Sequence, residues 1–146
     1  DALKYLQELL EKYPSIEVVI DLHRDALDLY KDPQLTTLAT VGQDRSAQLM
    51  LVAGTDGYGE GHPNWRENLS VGVKLQAVLE KHYPGLCRPL TIRSSAFNQD
   101  LSPGALLIEV GTAGDTRQQA LTAAELLEPF ALTAGVQQKF LLGEDI

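Results

Sequence analysis

The sequence predicts an α/β fold, a mixed twisted sheet flanked by helices, and three observations carry that expectation. Several short runs are β-branched and almost continuously apolar, as strands covered on both faces are. Longer segments between them repeat apolar residues at helical spacing. The two kinds of segment alternate, with no internal repeat or interdomain linker, along 146 residues. Residues 1–146 are therefore expected to form one domain.

The chain opens on a helical pattern, with Leu3, Leu6, Leu9 and Leu10 on one face and Tyr13-Pro14 ending it. Ile16 to Leu22 then reads as a central strand, and the polar run His23-Arg24-Asp25 follows it at once. Residues 26–35 are expected to be loop. Thr36 to Val41 and Ala47 to Ala53 read as a hairpin around Gly42 to Ser46. The glycine-rich stretch 54–63 lacks the spacing of a phosphate loop or a dinucleotide site.

Asn64 with Glu67 has the form of a capping box. It opens a helix whose inner face is expected at Leu69, Val73, Leu75, Val78 and Leu79, closed by Tyr83-Pro84-Gly85. Leu90 to Ile92 reads as a strand, 94–104 as a polar loop, and Ala105 to Val110 as a second buried strand. A last helix runs to about Leu132, with Ala120, Leu121, Ala124, Leu127 and Leu132 inward. The tail from Val136 has few periodic cues.

Composition narrows the function classes. With 44% hydrophobic and 22% charged residues the chain is ordinary for a globular protein, and 6% aromatics leaves the core to Leu, Val, Ile and Ala. A net charge of −8 argues against nucleic-acid binding, which needs clustered Lys and Arg, and against an anionic membrane surface. Cys87 is the single cysteine, so no intrachain disulfide is possible. No apolar run approaches the ~20 residues of a membrane span, and no signal peptide is visible. The helical opening without an initiator Met reads as a piece of something longer.

In open α/β sheets ligands gather beyond the carboxyl ends of strands. His23 stands at such an end, where it can offer one ring nitrogen to a metal while the other is fixed, or simply bond a neighbouring loop. Glu109 interrupts an apolar strand, where an unpaired carboxylate is costly. It can pair with Arg24, Arg88 or Arg93, or serve as a general base beside a metal. Asn98 and Gln99 can bind peptide groups, Asp100 suits a turn, and Arg24 can hold a substrate carboxylate or pair with Asp25 or Glu109. His62 is expected to be solvated, and Trp65 to anchor the start of its helix. Serine-elbow and Cys-x-x-Cys or His-Glu-x-x-His patterns are absent, and Cys87 has no evident partner base.

Four strings then act together: Ile20-Asp21-Leu22-His23-Arg24-Asp25, Asn64-Trp65-Arg66-Glu67-Asn68-Leu69, Asn98-Gln99-Asp100-Leu101-Ser102-Pro103-Gly104 and Leu107-Ile108-Glu109-Val110-Gly111. Their order and intervals resemble the stage II sporulation protein P family of peptidoglycan hydrolases from endospore formers. The resemblance implies the fold of zinc-dependent N-acetylmuramoyl-L-alanine amidases. It implies cleavage of the amide between the glycan lactyl group and the stem peptide, and of peptide crosslinks. By that resemblance His23 is a zinc ligand and Glu109 the catalytic acid/base, with Arg24, Asn98 and Gln99 expected at the substrate. Peptidoglycan and engulfment proteins such as stage II sporulation protein D are the implied partners. The implied parent is membrane-anchored and extracytoplasmic.

One departure qualifies the match. The family's domain begins with a strand ending in a His-Thr-His-Thr-Thr-Glu type motif that supplies the other zinc ligands, and no such motif occurs here. The expected fold therefore lacks its first strand or strands. Because a catalytic zinc takes three protein ligands plus water, this chain alone is expected to hold zinc weakly or not at all.

Overall fold

β-Branched and leucine-rich runs supply the central layer, and the order of those runs in the sheet decides where the polar residues between them emerge. The structure, a computed structural model, describes residues 2–26, 34–59 and 61–133, with only the main chain at 131–133. Its elements are α1 (Ala2–Lys12), β1 (Val18–Asp25), β2 (Leu38–Val41), β3 (Asp44–Ala47), β4 (Leu49–Gly54), α2 (Trp65–His82), β5 (Thr91–Arg93), β6 (Gly104–Thr112) and α3 (Arg117–Thr133), with a 3-10 turn at Gln99–Leu101. The α/β class with a mixed, helix-flanked sheet is as expected.

The main sheet has the order β1-β6-β4-β5. β1 runs parallel to β6, and β4 runs antiparallel to β6 and parallel to β5. The carboxyl ends of β1 and β6 therefore lie together, opposite those of β4 and β5. On one face Leu49, Leu51, Ile108 and Val110 pack with Leu79 of α2 and Ala120, Ala123 and Leu127 of α3. On the other, Met50, Val52 and Leu107 form a smaller apolar group.

Several expectations are corrected. β1, expected to be central, is an edge strand among the described residues and only partly buried, whereas β4 is buried at every position and β6 at every position but Glu109. Apolar composition reports cover on the two faces and carries nothing about lateral neighbours. The hairpin is tighter than expected: β2 pairs with β3 across Gly42-Gln43, with Gly42 at φ +62°, and β4 leaves for the main sheet. Asp44 and Arg45 thus sit in a strand, exposed, while Ser46 and Ala47 are buried.

In α2 the inner face is Asn68, Gly72 and Leu79 with Leu75 half-buried, while Val73 and Val78 are exposed at 52% and 41%. The buried stripe is helically spaced but offset from the expected one, because an Asn and a Gly, neither of them apolar side chains, occupy two of its positions. A Cβ at Gly72 would stand 3.3 Å from Leu90 Cδ1 and 3.4 Å from Leu106 Cδ2, so the missing side chain lets α2 lie close on the sheet. Asn64 is the N-cap residue of α2, but its side chain makes no cap bond. In α3, Ala123 replaces the exposed Leu121 on the inner face.

His62 is also corrected: it is fully buried rather than solvated. Asp56 Oδ1 accepts from the N–H groups of Gly61 and His62 at 2.8 and 3.2 Å, which turns the glycine-rich loop back on itself. Most of the expected 26–35 loop, the Leu132 side chain and the tail from Val136 lie outside the described residues.

Candidate functional site

Two residues expected to do chemistry meet across a strand pair. His23 of β1 and Glu109 of β6 are register partners, and Met50 of β4 lies opposite Glu109 on its other side. Both strands are built of residues that favour extended backbone, and each carries its polar residue at the edge of the apolar run. Gly111, at φ +71°, then bends the chain, where a Cβ would stand 2.6 Å from Asp115 Oδ2.

Glu109 Oε2 is buried and has no hydrogen-bond partner. Burial first, and then the negative charge of Asp25, hold the Glu109 carboxyl above its usual range, against the opposing pull of His23, Arg88 and Arg93. A carboxyl with its proton affinity raised above the ordinary range is suited to taking and returning a proton. His23 Nε2 lies 2.9 Å from Asp21 Oδ1, on a half-exposed side chain. That pairing fixes the ring and leaves Nδ1 as the nitrogen available to a ligand.

The sequence did not single out Asp25 or Arg88 for this site. Arg88 Nη1 and Asp25 Oδ2 are 2.8 Å apart, and both side chains are largely buried. By sequence Arg88 is one of three candidate partners for Glu109, with Arg24 and Arg93. No spacing rule separates it from Arg24 or Arg93, because the choice depends on which strand lies beside which.

Arg24, Asn98 and Gln99 are not brought to the pair. Adjacent strand residues point to opposite faces, and Arg24 Nη2 donates to the carbonyls of Thr112 and Asp115. There it helps hold the turn whose Asp115 carboxylate accepts from the N–H groups of Thr112 and Thr37. Gln99 lies in the 3-10 turn that precedes β6. Its amide is spent on β4, donating to Val52 O at 2.9 Å and accepting from Gly54 N at 3.0 Å. Asn98 adopts a left-handed conformation at φ 57° and lines an open cavity of about 430 Å³ together with Leu3, Ser95, Ala96, Phe97 and Asp100.

A resident zinc finds too few partners here. Among the described residues no group of three His, Cys, Asp or Glu side chains is arranged to hold a metal. His23 is a plausible ligand by its fixed ring, but one ligand does not make a catalytic zinc site. Cys87 offers no alternative nucleophile: burial, followed by the charge and hydrogen bond of Glu80, pushes its thiol up to about 12. No helix among the described residues is long and apolar enough to cross a membrane.

The family model described as Stage II sporulation protein P matches residues 1–129. A curated relative, stage II sporulation protein P of Bacillus subtilis (strain 168), is 29% identical over 124 residues. The match covers 82% of this chain and 28% of the relative, so the chain spans little more than a quarter of that protein. No solved structure matches.

Proposed function

Because the chain belongs to the stage II sporulation protein P family, and so to proteins of sporulation, we propose that it carries the proton-transfer part of a peptidoglycan hydrolase site. The observation that carries this is Glu109: a carboxyl set into a buried strand, its proton affinity raised, beside a histidine fixed by Asp21. The substrate class is the amide joining the glycan lactyl group to the stem peptide, with peptide crosslinks as a second bond type.

In the proposed reaction the Glu109 carboxylate takes a proton from the attacking water as its oxygen bonds to the amide carbon. When the carbon–nitrogen bond breaks, Glu109 returns that proton to the leaving amine. In the full-length parent, His23 is proposed as one zinc ligand, with the others contributed from beyond the described residues. Bound there, zinc would polarise a carbonyl and acidify water. The residues of this chain by themselves do not fit a complete zinc set, and no further step is assigned to the metal. The parent is proposed to act outside the cytoplasm from a membrane anchor, alongside stage II sporulation protein D.

The test is the Glu109→Gln form of the full-length parent on purified sacculi. The expected result is loss of cleavage with zinc content unchanged; undiminished hydrolysis removes Glu109 from the reaction. A second reading, a noncatalytic module that binds peptidoglycan or a partner, draws on the lack of a three-ligand group among the described residues. Zinc titration of this chain beside the full-length parent separates the two. Cleavage of soluble peptides with no action on sacculi would point instead to a carboxypeptidase-like enzyme.

A further inference from the structure

Complementary polar atoms lie without partners around Glu109. Its Oε2 is a buried acceptor with no donor, while Arg88 Nε and Nη2 are buried donors with no acceptor. Neither kind of atom is ordinarily left so, since a buried polar group without a hydrogen bond costs about 1–3 kcal/mol.

The strand order explains why the two belong together. Arg88 leaves the chain just before β5, where its N–H donates to Leu49 O at 2.7 Å and the neighbouring Cys87 bridges to Leu49. Its guanidinium reaches Asp25 at the end of β1, although β6 and β4 lie between β1 and β5. Glu109 is on β6, within the span that this side chain crosses, and the Arg88 charge acts on it. With Nη1 pinned by Asp25, the guanidinium plane cannot turn freely, and the Nε–Nη2 edge is a fork of the shape that carboxylates accept.

We propose that Arg88 is the positioning residue for Glu109: anchored at Asp25, it presents its Nε–Nη2 edge toward the Glu109 carboxylate through one bridging water, and fixes the direction in which that carboxylate faces the substrate. Arg88 itself touches no reacting atom. Asp25 serves as the fixed post that orients the fork, which accounts for a buried ion pair at the end of an edge strand. Lysine cannot replace the arginine, because a single ammonium cannot hold Asp25 and offer a second donor edge as well.

The proposal rests on Glu109 being the proton-transfer group of a hydrolase, so the test has two arms. In the full-length parent acting on sacculi, Arg88→Ala and Arg88→Lys are expected to lower kcat by ~10- to 100-fold with KM little changed, the effect of a misaligned catalytic group. Methylguanidinium added at millimolar concentration is expected to restore part of the kcat of Arg88→Ala. Full kcat in either variant, or a loss in Arg88→Ala that methylguanidinium leaves untouched, overturns the proposal.

A wild-type parent inert on sacculi would sink the hydrolase reading instead, and the second arm then decides the role of Arg88. In the ¹³C-labelled 146-residue chain, side-chain three-bond couplings should report one Glu109 rotamer in the wild type and rotamer averaging in Arg88→Lys, which retains the charge opposite Asp25. Identical couplings in the two proteins overturn the positioning role.

Discussion

The two ends of the main sheet treat polar side chains in opposite ways. At the end where β4 and β5 terminate, Gln99 closes two backbone groups of β4, and Asn68 Nδ2 lies within 3.2 Å of the carbonyls of Gln99, Ser102 and Ala105. Those buried amides do the work of missing backbone partners. At the end where β1 and β6 terminate, Glu109 Oε2 and two Arg88 nitrogens are buried with no partner. Side-chain amides bond the backbone at the first end, whereas the second gathers charged groups with unpaired polar atoms. His62 and Asn68 break the pattern, since both ring nitrogens of His62 and Oδ1 of Asn68 are buried and unpartnered on the first side.

The comparison can be broken most forcefully at Glu109. Glu109→Gln in the full-length parent should reduce sacculus cleavage by about 10²- to 10⁴-fold, the usual worth of a general acid–base group, while leaving the domain at least as stable to heat as the wild type. Asn68→Ala should do the reverse. Removing its donors from buried carbonyls should cost about 1–3 kcal/mol in urea unfolding, and a variant as stable as the wild type would show that those carbonyls do not need the amide.

A smaller effect is expected from pH. The Glu109 carboxyl is held above its ordinary value of 4.5, so the folded state binds its proton more tightly than the unfolded chain does. Its contribution to stability is therefore fully present below the unfolded value and is lost as pH rises through the folded one. Urea unfolding of the wild type against Glu109→Gln should show the wild type losing ground as pH rises above 4.5; parallel pH profiles would contradict the shift. The smallest effect is at His62. With neither ring nitrogen bonded, His62→Phe should be neutral or slightly stabilising, and a large loss of stability on calorimetry would reveal a partner for the ring.

Much of the fold was legible from local pattern. The helices and the apolar run around Glu109 fell close to where the sequence put them, because periodicity and side-chain shape act over a few residues, whereas the strand expected at 16–22 runs from Val18 to Asp25 and takes in His23. The offset came where polarity misleads. Asn68 and Gly72 face inward in α2 while Val73 and Val78 face solvent. Asn68 is tolerated there by the three carbonyls it serves, and Gly72 by the close approach of the sheet.

The site divides in the same way. His23 and Glu109 stood out by position and by resemblance, and the structure makes them neighbours through the parallel pairing of β1 and β6. Arg24 shares a polar string with His23, but strand alternation sends it to the turn at Asp115. Gln99 shares a string with its neighbours in the loop, but β6 carries it to the far end of the sheet.

By itself, the sequence determined the element types, the family and Glu109 as the carboxyl that interrupts an apolar strand. Those properties depend on short-range spacing and on which residue interrupts an apolar run. Only the tertiary structure decided that β1 lies at an edge among the described residues, that His62 is buried, and that Arg88 rather than Arg24 pairs with Asp25. Each of these depends on which strands become neighbours. Lateral pairing joins residues dozens of positions apart, and no local period records it.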